Sequence, residues 1–229
     1  MSTRPVGASV GLSRSRVLRA AVDVADRDGL DGVSMRRLAA HLGVAPMALY
    51  RHVANRDAVL DGMVELILEA IDRPVTPDGW KNDVRAQVLA ARRSLLEHPW
   101  AAAAIESRTA PPASALMHID ALATALLAGG LSADLVHHAL HALGSRMWGF
   151  THDVFPAPPP GPDSAAAIPE GLAEHYPGLA EVAAAAAHNS DTVVGPGCDD
   201  QLEFEFALDL WLAGGERLHA SGWSSDSAC

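Results

Sequence analysis

Residues 34–57, which read SMRRLAAHLGVAPMALYRHVANRD, decide the fold of the N-terminal part of this chain. Ser34 is a favourable N-cap residue, and the apolar residues that follow it recur at helical spacing, so the pattern predicts a helix over 35–42. Gly43 permits a tight turn after that helix. The stretch 45–52 predicts a second, short helix. Two helices joined by a tight turn are typical of a helix-turn-helix.

The sequence on both sides of this stretch continues the helical pattern. Upstream, apolar residues on one face predict a helix that opens at Ser13 and ends at Gly29, which suits a C-cap position. Downstream, Asn55 is expected to cap a longer helix that runs to about Asp72. The N-terminal segment is therefore expected to be a small helical domain.

The remainder of the chain is also expected to be helical, since no alternating strand pattern competes with the helical one. Prolines and a glycine within 73–79 indicate a domain boundary, and the proline-rich stretch 156–162 predicts a loop. The predicted helices cover 80–98, 100–108, 113–128, 133–152, weakly 172–188, and about 199–220. We therefore predict an all-α protein with a flexible arm at 1–12, a helix-turn-helix domain at 13–72 and a larger helical domain at 80–220.

Charge is distributed unevenly along the chain. The net charge is −11, yet residues 1–60 hold nine Arg against five Asp, which gives +4 and leaves −15 for 61–229. Such asymmetry fits a basic head that approaches phosphates and an acidic body that DNA repels.

The second helix of the motif has small or polar outward residues that fit a major groove about 12 Å wide. Its predicted outward face consists of Pro46, Met47, Ala48, Arg51 and His52.

The run 34–57 resembles the tetracycline-repressor family, and its most diagnostic part is LYRHVANR at 49–56. The resemblance covers 13–72. It extends more weakly to HYPGL at 175–179 and FEFALDLWLAG at 204–214. It implies a homodimer with a four-helix interface, operator DNA as partner, and a small-molecule pocket in each C-terminal domain.

The resemblance also implies roles for three arginines. Arg36 is expected to reach a guanine edge or a phosphate, and Arg51 to read guanine directly. Arg56 matches a phosphate clamp at the N-terminus of the fourth helix, where the helix dipole favours an anion.

Other positions of the motif match further contacts with DNA. Met47 and Ala48 match base-facing positions, where their apolar side chains can touch thymine methyl groups but cannot donate hydrogen bonds. Tyr50 and His52 match phosphate or base contacts. The alternative for Tyr50 is a packing residue, because a tyrosine ring is often buried in the core while its hydroxyl group contacts water.

Several aromatic residues, histidines and a methionine are candidates for an effector pocket that takes a hydrophobic or aromatic small molecule. Filling of the core is the competing interpretation for each of them. The candidates are Trp100, Met117, His118, His141, Trp148 and Phe150.

His137 and His141 are spaced i, i+4, so one helical face presents both, and such a pair can ligate a metal. The pattern His-Glu-x-x-His is absent, and no cysteine is near in sequence. We therefore expect interface or pocket histidines and neither a metal nor a cofactor.

Other functional classes fit the sequence less well. It contains no Gly-x-Ser-x-Gly, no phosphate loop and no zinc-protease motif, so we expect no enzyme. A non-specific architectural DNA binder is the alternative, and the acidic body argues against it. No apolar run approaches the roughly 20 residues that span a bilayer, and the two cysteines form no pattern, so we expect a cytoplasmic protein.

The function that we favour is that of a repressor. It is expected to bind a palindromic operator and to leave it when a small molecule binds.

Overall fold

A computed structural model describes residues 11–75, 79–108, 110–147, 172–178, 181 and 200–227 of the chain. These ranges contain helices and no strand, which confirms the predicted all-α class. The α-helices are α1 (Arg14–Asp28), α2 (Met35–Leu42), α3 (Pro46–Leu49), α4 (Arg56–Ala70), α5 (Trp80–Glu97), α6 (Ala101–Glu106), α7 (Ala113–Ala128), α8 (Ala133–Met147), α9 (Leu172–His175) and α10 (Asp200–Ala220). Short 3-10 turns cover Leu30–Gly32 and Ser225–Ser227.

The chain divides into two compact units, 1–128 and 129–229. The first contains α1–α7 and the second α8–α10. The predicted division into a head at 13–72 and a body at 80–220 stays a prediction.

The core of the first unit forms where α1 crosses α4 and α2 packs on α3. Leu38, Leu49 and Met63 are fully buried there. Each such side chain stabilises the fold by about 1.5–3 kcal/mol through removal of apolar surface from water. Gly62 allows the close crossing, since a Cβ at this position would lie 2.6 Å from Leu18 Cδ2.

Side chains cap the N-termini of α1, α2 and α4, and the sequence predicts the caps of α2 and α4. Ser13 Oγ, Ser34 Oγ and Asn55 Oδ1 each accept a backbone N–H from three residues later, at 3.2, 3.3 and 2.8 Å. Each cap satisfies a helix N–H that has no partner within its helix, which contributes about 0.5–2 kcal/mol. At the other end of α1, Gly29 adopts φ +69°, a region that favours glycine.

The structure corrects several predicted boundaries. The second helix of the motif is a single turn, Pro46–Leu49, and not 45–52, because the chain turns from Tyr50 onward. Helix α4 ends at Ala70, before the predicted Asp72. Helix α8 is described only to Met147, so the predicted residues 148–152 and the loop 156–162 lie outside the described residues.

In the second unit, α8 packs against α10. The chain after α10 is tied to the start of α8, because Asp134 accepts hydrogen bonds from the Ser225 backbone N–H at 2.7 Å and hydroxyl at 2.9 Å. The hydrogen bond from the backbone N–H is the largest cause of a lowered pKa at Asp134, and the hydrogen bond from the hydroxyl is the second. No helix in the described ranges combines the length and apolarity needed to cross a bilayer.

Candidate nucleic-acid interface

The turn between α2 and α3 depends on Gly43, which adopts the left-handed conformation with φ +68° and ψ 31°. Its N–H donates to Ala40 O at 3.2 Å, and Val44 N–H donates to Ala39 O at 3.0 Å. These bonds satisfy carbonyls in the last turn of α2 while the chain reverses. A side chain at Gly43 would strain this conformation.

Two buried residues fix which side of α3 faces outward. Leu49 is completely buried and Val53, just after the turn, is almost so. Pro46 occupies the first turn of α3, where no intrahelical donor is needed. Residues on the opposite side of α3 are therefore presented to solvent.

Most of the DNA-contact residues predicted from the sequence lie on the exposed surface of this motif. Met47 is 73% exposed and Tyr50 is 47% exposed, so neither is a core residue. Arg36, Pro46, Arg51 and Arg56 are also exposed, whereas Ala48 and His52 are half-buried.

Arg56 makes contacts that the sequence did not reveal. Its Nε donates to Val33 O at 2.8 Å and its Nη2 to Leu30 O at 2.9 Å. Two of the three guanidinium nitrogens thus join the start of α4 to the 3-10 turn before α2. A contact between Arg56 and a DNA phosphate stays a prediction, and Nη1 is the nitrogen that would make it. No signal in the sequence pointed to the two carbonyl groups.

Nearby charged residues differ in how they are paired. Arg37 lies 3.8 Å from Asp28 in an exposed ion pair, which contributes little to stability. Arg27 Nη2 lies 3.3 Å from His41 Nδ1. Within the described ranges, Arg36 and Arg51 form no such pair.

The six residues predicted to line an effector pocket differ in their exposure and contacts. Trp100 is buried, and its indole Nε1 donates to Asp26 Oδ1 at 2.6 Å, so its polar edge is used within the protein. Met117 on α7 is half exposed, whereas His118 is 4% exposed. His141 is exposed on α8, in the second unit. Trp148 and Phe150 lie outside the described residues.

Sequence reasoning missed three polar residues that, like His118, contribute buried polar atoms to the first unit. Gln87 and Ser114 are buried, and Arg73 has a buried Nη1. Burial, and then the nearby charge of Arg73, lowers the pKa of His118. The available signal was that Gln87 and Ser114 each interrupt the apolar face of a helix.

The histidines of α8 lie close together. The rings of His137 and His141 are 4.6 Å apart between centroids, and His138 Nε2 lies 3.6 Å from Asp134 Oδ1. Within the described part of the chain, no group of three or more potential ligands is arranged to hold a metal ion.

Comparison with known protein families matches two domains in this chain. Residues 17–63 match the domain described as "Bacterial regulatory proteins, tetR family". Residues 73–218 match "Tetracyclin repressor-like, C-terminal domain". The first match contains α2 and α3, and the second contains the buried polar residues around His118.

Individual relatives are regulators of the same kind. The chain is 37% identical over 120 residues to an HTH-type transcriptional regulator of Saccharopolyspora erythraea, a match covering 52% of this chain and 51% of the relative. It is 34% identical over 135 residues to the class C tetracycline repressor protein of Escherichia coli, covering 58% and 61%. The chain thus spans about half to three-fifths of the length of these curated relatives.

A solved structure has the same fold over nearly the whole chain. It is a TetR transcriptional regulator from Streptomyces coelicolor, 27% identical, with a TM-score of 0.73 over 91% of this chain and 99% of the regulator.

Proposed function

The chain belongs to the tetR family of bacterial regulatory proteins, and we propose that it is a repressor that binds an inverted-repeat operator as a homodimer and leaves it when a small molecule binds. The observation that carries the proposal is the helix-turn-helix surface. On one side of the motif Leu38 and Leu49 are buried in the core. On the other side Met47, Tyr50 and Arg51 are exposed.

The exposed residues supply complementary kinds of DNA contact. Arg51 and Arg36 offer guanidinium donors that pair with guanine O6 and N7 or with phosphate oxygens. Met47 offers an apolar surface suited to thymine methyl groups. Because α3 is a single turn, one head reads few bases, and useful specificity requires two heads on successive major grooves.

The charge distribution supports binding through the head alone. The segment 1–60 carries +4 and the segment 61–229 carries −15. Long-range repulsion between the acidic segment and DNA orients the approach and opposes wrapping. This disfavours the architectural DNA binder, which requires broad basic surfaces.

Helix α10 supports self-association because it is apolar on two sides. Phe204, Leu208 and Leu212 are buried on one side, whereas three residues spaced by four are exposed on another. The exposed residues are Leu202, Phe206 and Leu210, at 62%, 60% and 59%. A second copy of the same helix, related by twofold symmetry, would cover this apolar stripe.

The proposed response to a ligand rests on the match of 73–218 to a tetracycline-repressor-like C-terminal domain. In the dimer, we expect the ligand to bind more tightly to a conformation whose two DNA-binding heads do not match the operator. Such a ligand shifts the population away from the DNA-binding conformation. The contact between Trp100 and Asp26 gives such a change a route to the head, because it joins the start of α6 to α1.

A binding experiment with the full chain tests the proposal. Genomic fragments of the source organism are captured on the immobilised protein with excess random DNA as competitor, and the mass of the complex is measured. We expect a few fragments that share an inverted repeat and bind an even number of chains. Capture of fragments without a common sequence would favour an architectural binder. Absence of DNA binding at low salt would refute the proposal.

A further inference from the structure

We propose that Arg73, Gln87, Ser114 and His118 form the polar anchor of the effector site and select a ligand with an acidic oxygen group, such as a carboxylate or an ionised phenol. This inference rests on the proposed function, since it specifies the class of effector. The four residues are called the polar anchor below.

The fold brings the polar anchor together from three segments. Ser114 and His118 are four residues apart and share one face of α7. Helix α5, which carries the buried Gln87, packs against α7. Gln87 Nε2 lies 3.4 Å from Pro74 O, so its amide is next to Arg73 in the chain that follows α4. Helix α4, which Arg73 follows in the chain, also packs against α7, and the positive charge of Arg73 contributes, after burial, to the lowered pKa of His118.

The polar anchor is buried yet has unused hydrogen-bonding capacity. Ser114 is fully buried, Gln87 is 2% exposed and His118 is 4% exposed. Among the described residues, no hydrogen-bond partner exists for Ser114 Oγ, Gln87 Oε1, Arg73 Nη1 or either ring nitrogen of His118. Buried polar atoms without partners are rare in native proteins because they lose hydration without compensation. Their concentration in one place therefore points to a ligand that supplies the missing partners.

The chemistry of these atoms favours an anion. Arg73 supplies a permanent cation and a fork of N–H donors that match a carboxylate, and Ser114 adds a hydroxyl donor. The pKa of His118 is lowered, so at neutral pH its ring has one donor and one acceptor nitrogen. A cationic ligand group would be repelled by Arg73. A hydroxyl or amide N–H beside the acidic group would satisfy Gln87 Oε1.

The surroundings indicate an apolar body behind the acidic group. Val84 and Val88 flank Gln87 on α5, and Leu122 follows His118 by one turn on α7. All three are buried. An aromatic or aliphatic acid fits this combination of a charged anchor and apolar neighbours.

Two matched fragment sets test the proposal on the full-length protein. One contains aromatic and aliphatic carboxylic acids, and the other contains the corresponding primary carboxamides. Binding is measured by the shift in thermal midpoint and by the NMR signals of the His118 ring, assigned with a His118→Gln variant. We expect the acids to bind at least about tenfold more tightly than their amides and to shift the His118 signals.

Arg73→Gln is expected to remove the preference for acids, and Arg93→Gln, an exposed arginine on α5, is the matched control that should keep it. Ser114→Ala provides a readout independent of folding defects. It removes a buried hydroxyl without a described partner, so it should raise the thermal midpoint of the free protein while weakening acid binding several-fold. A hydroxyl that only supports packing or a buried water would lower that midpoint and leave acid binding unchanged.

The proposal is overturned if amides bind as tightly as acids, if no acid perturbs His118 at millimolar concentration, or if Arg73→Gln leaves acid affinity unchanged. The DNA capture experiment separates this failure from that of the proposed function. A protein that captures an inverted repeat and ignores acids refutes the acidic effector alone. One that binds acids and no DNA refutes the proposed repressor.

Discussion

Trp100 and Asp26 are joined by a hydrogen bond of 2.6 Å from the indole Nε1 to the carboxylate Oδ1, although 74 positions separate them in sequence. His98 Nδ1 lies 2.8 Å from the same oxygen. One carboxylate on α1 therefore holds the segment between α5 and α6. We expect this contact both to stabilise the first unit and to transmit changes from α6 to the DNA-binding head.

Trp100→Phe should lower the free energy of unfolding by about 1.5–3 kcal/mol, because a hydrogen bond to a charged group is lost. Urea unfolding measures this change. Asp23→Asn is the control, since Asp23 is an exposed carboxylate on the same helix. Equal stability of the Trp100→Phe variant and the wild type would show that the hydrogen bond contributes nothing.

Arg51→Ala should weaken operator binding and relax the preference at one base pair in each half-site by about 1–3 kcal/mol, because a guanine contact is lost. Gel shifts on the captured operator and its single-base variants measure this effect. Arg93→Ala should bind like the wild type. Unchanged affinity and base preference for Arg51→Ala would exclude Arg51 from base readout.

Arg56→Ala should lower the free energy of unfolding by about 1–3 kcal/mol, because the carbonyls of Leu30 and Val33 lose their donors. It should also weaken operator and random DNA by similar factors, since the motif as a whole loses support. Urea unfolding and gel shifts on both DNAs check this. Full stability combined with a loss confined to the operator would instead indicate direct base contact.

The lowered pKa of His118 predicts a pH dependence of stability. An unperturbed histidine side chain has a pKa of 6.5, and the pKa of His118 in the folded protein lies below it. Between these two values the unfolded chain binds more protons than the native protein, so the free energy of unfolding should fall as pH decreases from about 6.5 through the folded pKa. His118→Leu should flatten this dependence in urea titrations between about pH 7.5 and pH 5.5.

The matched control for this experiment is His141→Leu, which removes an exposed histidine from α8. A slope that is unchanged by His118→Leu would show that burial of His118 carries no proton linkage.

Phe206→Asp should convert the proposed dimer into a monomer, because it places a charge in the middle of the exposed apolar stripe of α10. Light scattering on the eluting protein measures the mass. Leu218→Asp adds the same charge to the same helix beyond the C-terminal end of the stripe and should leave the dimer intact. A dimer that survives Phe206→Asp would place the interface elsewhere.

Local signals in the sequence were sufficient for most helices and for the DNA-binding motif. Ser34, Gly43 and Asn55 each act on a backbone within a few residues, so their roles as cap or turn follow from the local sequence. The exposure of Met47 followed from the buried position of Leu49. Helix α7 was predicted with the boundaries that the structure shows, because prolines precede it and glycines follow it.

Long-range contacts were beyond the sequence pattern. The two carbonyl contacts of Arg56 could not be predicted, because its partners lie 23 and 26 positions earlier. The hydrogen bond of Trp100 to Asp26 was likewise not predicted, because the two residues are 74 positions apart. The role proposed for Arg73 and Gln87 depends on the packing of α4, α5 and α7 against one another.

Selection of DNA from a random pool tests the central claim that two copies of this helix-turn-helix read one operator. The account predicts enrichment of an inverted repeat whose half-sites are centred about 10 base pairs or a multiple of this apart, with the symmetry lost in the Phe206→Asp variant. Enrichment of a single asymmetric site by a monomer, or no enrichment at low ionic strength, would contradict it.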